Sequence, residues 1–253
     1  MHLEGKLVVI TGSGRGIGRA MALAFAQKRA NIAMIDLNAA DLDQTRSQCE
    51  AVGVRAKTYL CNVAREDEVA ATLDAVVQDF GRLDVMINNA GITKDALLVK
   101  VHEGKVVGKM SMDQWNAVID VNLTGVFLGA REAAARMIGL GNGGVIISTS
   151  SISRAGNMGQ SNYSATKAGV AAMTVVWAKE LARHGIRAGA IAPGFTRTEI
   201  LDAMKPEMIE RALSAVPLKR MADPAEMAHA AIFIAENDFF SGRIVELDGA
   251  QRI

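Results

Sequence analysis

The chain has 253 residues, half of them hydrophobic, and 28 basic against 27 acidic side chains give it a formal net charge of +1. That length can bury a sizeable core in one α/β domain, and so neutral a balance gives no support for nucleic-acid or membrane-surface partners. No run of about 18 apolar residues occurs, so no membrane span is expected. Residues 1–6 have the character of neither a signal nor a transit peptide, and Cys49 and Cys61, without a Cys-x-x-Cys spacing, suit a reducing cytoplasm. His2, His102, His184 and His229 have no metal-ligand spacing with each other or with the cysteines, so no metal is expected.

Leu7 to Ile10 is a short apolar run typical of a strand buried on both faces. It leads into Thr11-Gly12-Ser13-Gly14-Arg15-Gly16-Ile17-Gly18 and a helical pattern to about Arg29. A glycine-rich turn between strand and helix lets backbone approach a pyrophosphate at the positive end of the helix. A second strand, Ile32 to Ile35, ends on Asp36, placed where an acidic side chain can accept hydrogen bonds from an adenosine ribose. Amphipathic helices follow at Ala39 to Val52 and Glu66 to Phe80, separating strands at Ala56 to Cys61 and Leu83 to Ile87. Strands alternating with helices predict one doubly wound Rossmann-type α/β domain, with a parallel sheet of about seven strands and helices on both faces. Ligand then sits beyond the carboxyl ends of the strands, where the glycine turn, Asp36, Asn62, Asn89 and Ser150 fall.

After Gly91 the pattern breaks, and alternation around Glu103-Gly104 predicts an inserted hairpin within 93–110. A long helix is expected from Met112 to Ile138, a fifth strand from Val145 to Ser148, and a helix from Ser161 to His184. The last of these is apolar nearly all round, from Val170 to Trp177 and Leu181, which predicts a subunit interface there. A strand from Arg187 to Ala192 leads to a substrate flap over 195–216, then to a helix opened by Pro224 and a closing strand, Ile244 to Leu247.

Tyr163 and Lys167 stand four residues apart, one helical turn, on the same face. Moving a phenol from a pKa near ~10 to about 7 takes roughly 4 kcal/mol. One ammonium at ~4 Å supplies about 4 kcal/mol at an effective dielectric near ~20, but only about 1 in water. The pair therefore makes an activated acid only where solvent is excluded, and a hydroxyl such as Ser150 could then hold a substrate oxygen beside the phenol.

Taken together, these motifs resemble the short-chain dehydrogenase/reductase family across essentially the whole chain. Thr11-Gly12-x-x-x-Gly16-Ile17-Gly18 is similar to its cofactor motif, Asn88-Asn89-Ala90-Gly91 to the segment supporting its central sheet, and Pro193-Gly194 with Thr198 to its nicotinamide-side loop. Asn122, Ser150, Tyr163 and Lys167 match its catalytic tetrad, the spacing to the tyrosine favouring Ser150 over Ser151. The resemblance implies that Tyr163 is the general acid/base and that Ser150 holds the carbonyl or alcohol oxygen. It implies that Lys167 lowers the phenol's pKa and binds the nicotinamide ribose, and that Asn122 anchors a water in a proton relay. The dinucleotide is expected to border Gly12, Arg15, Gly16, Ile17, Gly18, Asp36, Leu37, Asn62, Val63, Asn89, Ala90, Gly91, Tyr163, Lys167, Pro193, Gly194, Thr196 and Thr198.

Within the family the chain is most similar to 3-oxoacyl-thioester reductases, on Gly159-Gln160-Ser161-Asn162-Tyr163 and Ala192-Pro193-Gly194-Phe195. It departs from them at Asp36, typical of NAD-using members, at Asn62 in place of an aspartate, and at Gly141 and His184, where carrier-binding members tend to have arginines. The expected activity is hydride transfer between a ketone and a secondary alcohol, with a 3-oxoacyl-thioester reductase as the leading reading. An NAD-dependent dehydrogenase of a small secondary alcohol, cyclic polyol or steroid is the alternative, and a non-catalytic dinucleotide sensor a remote one. NAD(H) is expected over NADP(H), because a 2′-phosphate would face Asp36. A cytoplasmic homotetramer is expected, with a small-molecule or acyl-thioester substrate and an acyl carrier protein as a possible partner. The basic hairpin residues Lys94, Lys100, His102, Lys105 and Lys109 are either a solvated edge or a receiver for an anionic handle.

Overall fold

The structure, a computed structural model, describes residues 1–198 and 213–251. Seven strands form one parallel sheet: β1 (Leu7–Thr11), β2 (Asn31–Asp36), β3 (Ala56–Leu60), β4 (Val85–Asn88), β7 (Gly144–Thr149), β8 (Ile186–Pro193) and β9 (Arg243–Leu247). Their order is β3-β2-β1-β4-β7-β8-β9. The chain moves outward from β1 to β3 and then returns to the other side of β1, so connections diverge between β1 and β4 and leave a crevice at their carboxyl ends.

Successive side chains of a strand point to opposite faces, and β1 uses both. Val8 and Ile10 join Met21 and Phe25 of α1 (Gly16–Gln27) and Met227 and Ile234 of α7 (Pro224–Glu236) in one apolar layer. Leu7 and Val9 face the opposite layer, with Leu73 and Val76 of α3 (Glu66–Phe80) and Met137 of α5 (Gly125–Leu140). Among the described residues the other α-helices are α2 (Ala39–Glu50), α4 (Met112–Ile119) and α6 (Ser161–Glu180). The flap expected over 195–216 lies, from 199 to 212, outside the described residues.

Two expectations need correction. The helix from Met112 is not continuous: a π-helical turn, Asp120–Thr124, separates α4 from α5. It turns the fully buried Asn122 toward the β4 loop, where its amide donates to Ile92 O and accepts from Ile92 N, both at 2.8 Å. Second, part of the apolar stretch of α6 read as a subunit interface, Val170, Trp177 and Leu181, packs within the chain. Val170 is buried, and Trp177 and Leu181 pack on the chain's own second core, while Val176 on α6 and Phe127, Ile138 and Leu140 on α5 are exposed.

The inserted hairpin consists of β5 (Val99–His102) and β6 (Lys105–Lys109), paired antiparallel with a bulge beside Val101. Its two-residue loop has both Glu103 and Gly104 at positive φ, +50° and +75°, the twist that two-residue hairpins prefer. The root is fastened to the cleft: Ala96 N donates to Gly159 O at 2.8 Å, and Gln160 Nε2 donates to Asp95 Oδ2 at 2.9 Å.

Candidate active site

The glycine turn is closed from beneath by the β4 loop. Thr11 Oγ1 accepts from Asn89 N and Ala90 N at 3.0 and 3.1 Å, and Asn89 Nδ2 donates to Thr11 O and Gly12 O at 3.2 and 3.1 Å. Gly12 and Gly16 lie at φ +64° and +55°, where a β-carbon is disfavoured. Gly18 has no room for one, because it would fall on the Gly12 carbonyl oxygen and 2.7 Å from Asn89 Nδ2. Arg15, the residue before α1, makes no side-chain cap, so the first amides of the helix stay turned to the cleft.

Above this turn is a cleft of about 450 Å3 bordered by Gly12, Arg15, Gly16, Ile17, Asp36 and Leu37 on one side and by Asn62, Val63, Asn89, Ala90 and Gly91 on the other, with Thr198 at the end. Asp36 is held rigidly: Oδ2 accepts from Gly14 N at 3.0 Å, and Oδ1 from Leu37 N at 2.7 Å and Asn38 N at 3.3 Å. Asn62 accepts from Ala64 N at 3.1 Å and braces its own loop. A turn with glycine at 12, 14, 16 and 18, an uncapped helix start and a fixed carboxylate at the strand end fit the pyrophosphate and ribose of a dinucleotide.

A second cleft of about 470 Å3 continues from the first, with Ile17, Asn89, Gly91, Ile92 and Thr198 common to both. Tyr163, Lys167, Pro193, Gly194 and Thr196 border it. Its floor is a run of polar groups from α6. Asn162 Nδ2 donates to Lys94 O and Gln114 O at 3.0 and 2.9 Å, and Tyr163 N donates to Asn162 Oδ1 at 2.8 Å. Lys167 Nζ donates to Thr149 O at 2.7 Å and lies 5.4 Å from the centroid of the Tyr163 ring. Gly18 and Asn122 border neither cleft and act from behind it, Gly18 by letting the turn close and Asn122 by fixing Ile92.

One assignment changes. Ser150 Oγ, 1% exposed, donates to Lys167 O at 2.8 Å and is spent on the backbone of α6. The hydroxyl that reaches the Tyr163 phenol is that of Ser151. Neighbouring residues of an extended chain face opposite ways, and Ser151 is extended at φ −166° and ψ 159°. Counting residues back from the tyrosine does not register that alternation.

Burial pushes the Tyr163 phenol above its ordinary value, Ser151 works against that rise and Asp95 adds to it. Burial also pulls the Lys167 ammonium down to about 8. In the chain by itself the loss of solvent raises the phenol and the ammonium donates to the Thr149 carbonyl. Cleft residues given no site role from the sequence include Asn38 and Cys61 in the first cleft and Ser151, Ser153, Phe195 and Gln251 in the second. Ser151 left a signal as the neighbour of a serine already chosen, and Phe195 as part of the Ala192-Pro193-Gly194-Phe195 stretch.

Residues 6–208 match the short chain dehydrogenase family. The chain is 41% identical over 251 residues to the 3-oxoacyl-[acyl-carrier-protein] reductase FabG of Thermotoga maritima, covering 98% of both. It is 36% identical over 247 residues to that of Staphylococcus epidermidis, covering 96% of this chain and 98% of the relative. A short-chain type dehydrogenase/reductase from Mycobacterium marinum matches at a TM-score of 0.88 and 32% identity, over 98% of this chain and 95% of the other. Levodione reductase matches at 0.89 and 29%, over 98% and 97%. The chain belongs to the short-chain dehydrogenase family and is an oxidoreductase that interconverts ketone and secondary alcohol with a nicotinamide dinucleotide.

Proposed function

We propose that the chain reduces 3-oxoacyl thioesters, the substrate class named for its relatives in Thermotoga maritima and Staphylococcus epidermidis. The observation that carries the reading is the junction of the two clefts, where a long groove for a dinucleotide opens directly onto Tyr163 and Ser151. Gly12, Gly16 and the start of α1 would hold the pyrophosphate, Asp36 the adenosine ribose, and Thr196 and Thr198 the nicotinamide side. When bound, the dinucleotide supplies the hydride and, once oxidised, a positive charge beside the site. Tyr163 donates its phenolic proton to the carbonyl oxygen as that oxygen gains negative charge, and Ser151 donates a hydrogen bond to the same oxygen. Lys167 keeps an ammonium next to the phenol, and Asn122 holds the β4 loop in place through Ile92. Ser150 fixes the backbone of Lys167 and not the substrate.

The alternative, an NAD-dependent dehydrogenase of a small cyclic or secondary alcohol, is favoured by Asp36 and by the likeness to levodione reductase. One assay separates the two and ranks the cofactors: turnover of acetoacetyl-CoA with NADH and with NADPH. The thioester reading expects turnover, and lack of it with both cofactors sinks that reading. NADH is expected to be better by about tenfold in kcat/KM, since a 2′-phosphate meets a carboxylate that three backbone amides keep from turning away. Arg15 is the group that opposes this, and equal efficiencies would mean that its guanidinium outweighs Asp36.

The carrier protein remains the partner of this reading. The hairpin presents Lys100, Lys105 and Lys109 on exposed positions, with its root tied to the loop that precedes Tyr163. A cytoplasmic homotetramer is proposed as well, supported by Phe127 on α5 and Val176 on α6, which are 42% and 48% exposed. Light scattering at micromolar concentration checks it, and a monomer there would overturn it.

A further inference from the structure

Ser151 stands where the chain leaves the sheet. Ser150 N donates to Ile191 O at 2.8 Å, and beyond it Ile152–Ala155 forms a single short 3-10 turn. Such turns hold themselves poorly, because their hydrogen-bond geometry is less favourable than that of an α-helix. Within the turn Ser151 Oγ accepts from Ser153 N at 3.1 Å. A hydroxyl has one donor and two acceptor positions, so this bond leaves its proton for the Tyr163 phenol or a substrate oxygen.

A side chain outside the cleft steadies that turn. Arg154 borders neither cleft, yet its Nη1 donates to Ser151 O at 3.3 Å, and its backbone amide donates to the same carbonyl at 3.2 Å. Nη2 donates to Glu246 Oε1 at 2.5 Å. Glu246 lies on β9, in register with Ala192 of β8. One planar guanidinium thus spans the Ser151 carbonyl and a carboxylate on the sheet, a reach that its separate nitrogens provide and a single ammonium does not. The strand that carries Glu246 runs on into a turn with Gly249 and Ala250 at φ +62° and +68°, which brings Gln251 to the same cleft. The ion pair therefore joins two walls of the substrate space. Its side chains are 22% and 42% exposed, and pairs so open to water add little to stability, so its consequence is one of position.

We infer that Arg154 is a positioning residue for reduction, holding the turn that aims the Ser151 hydroxyl by tying it to Glu246 of β9. The inference rests on the role of Ser151 proposed above. A donor to a developing oxyanion helps most when it is already in place as the charge appears. Without the guanidinium the turn keeps its backbone bond and loses its tie to the sheet. Ser151 is then still in the cleft but no longer fixed. The loss falls on kcat, and dinucleotide binding in the first cleft is untouched.

The test is a double-mutant cycle on kcat, run with acetoacetyl-CoA and with ethyl acetoacetate, in wild type, Arg154→Met, Ser151→Ala and the double variant. Methionine keeps an unbranched stem and removes every donor. Ser151→Ala should lower kcat by about a hundredfold, as removal of one oxyanion donor does. Arg154→Met should lower it by about tenfold in the wild-type background and by no more than about twofold in the Ser151→Ala background. Dinucleotide affinity and thermal midpoints should stay close to wild type. Glu246→Gln removes the charge at similar size and should show the same dependence on Ser151 with a smaller loss, which keeps the test open if Arg154→Met folds poorly. Equal losses in both backgrounds would mean a general loosening and overturn the inference, as would a wild-type kcat in Arg154→Met. A harmless Ser151→Ala would remove the role of Ser151 and the inference with it. If the ketoester alone is turned over, the thioester reading fails, and the cycle on the ketoester still decides the place of Arg154.

Discussion

Tyr163→Phe is expected to reduce kcat to below about a thousandth of wild type, within the range for removal of a positioned general acid, while dinucleotide affinity changes by no more than a few-fold. The substitution keeps the ring beside Lys167 and leaves the backbone bonds of residue 163 intact: its amide still donates to Asn162, and its carbonyl still accepts from Thr166 at 2.7 Å. Only the proton donor is deleted. Burial raises the phenol in the chain alone, so the group is protonated at neutral pH and ready to donate during reduction. Steady-state turnover and calorimetric titration of the dinucleotide check the two halves separately. Residual activity above that level would remove Tyr163 from the chemistry, and lost cofactor affinity would assign it a binding role instead.

The parts legible in the sequence are those with local causes. Runs such as Leu7–Thr11 and Gly144–Thr149 are buried throughout, and only a strand covered on both faces accepts so many apolar residues in succession. The glycine turn was legible because its φ values and its tight approach to Asn89 admit no other residue. What escaped has non-local causes. Asp120–Thr124 carries no helix breaker of its own; the π-turn accompanies a bond between Asn122 and Ile92, thirty residues away in the chain. The exchange of Ser150 for Ser151 follows from which side of an extended segment faces α6. The inward stripe of α6 is largely polar, with Asn162, Thr166, Lys167 and Thr174 buried beside Val170, so periodicity alone does not separate the apolar side chains that pack within the chain from those left for a partner. Gln251 is an ordinary polar residue near the end of the chain until the Gly249–Ala250 turn folds it back into the cleft.

Lys167→Met should yield a protein that is more stable and inactive. Lys167 is 3% exposed, and burial lowers its pKa from the ordinary 10.5 to about 8. The unfolded chain therefore binds that proton more tightly than the folded one. Above 10.5 the amine is neutral in both states and its titration imposes no penalty. As pH falls through the window from 10.5 to 8, stability is lost, and below 8 the full penalty of about 3 kcal/mol applies. Methionine has a similar unbranched stem and no charge to desolvate. Against the gain stands the bond from Nζ to Thr149 O, whose loss leaves a buried carbonyl worth roughly 1 kcal/mol. The variant should thus exceed wild type by about 2 kcal/mol at pH 7, and the difference should shrink and change sign as pH rises past 10. Turnover should disappear at every pH, because the ammonium beside the phenol is gone. Urea unfolding of both proteins without dinucleotide, at pH 7 and pH 10, makes the comparison, since other titrating groups cancel between them. A stability difference that does not move with pH would mean that Lys167 is not held charged against burial, and its place beside Tyr163 would then need another explanation.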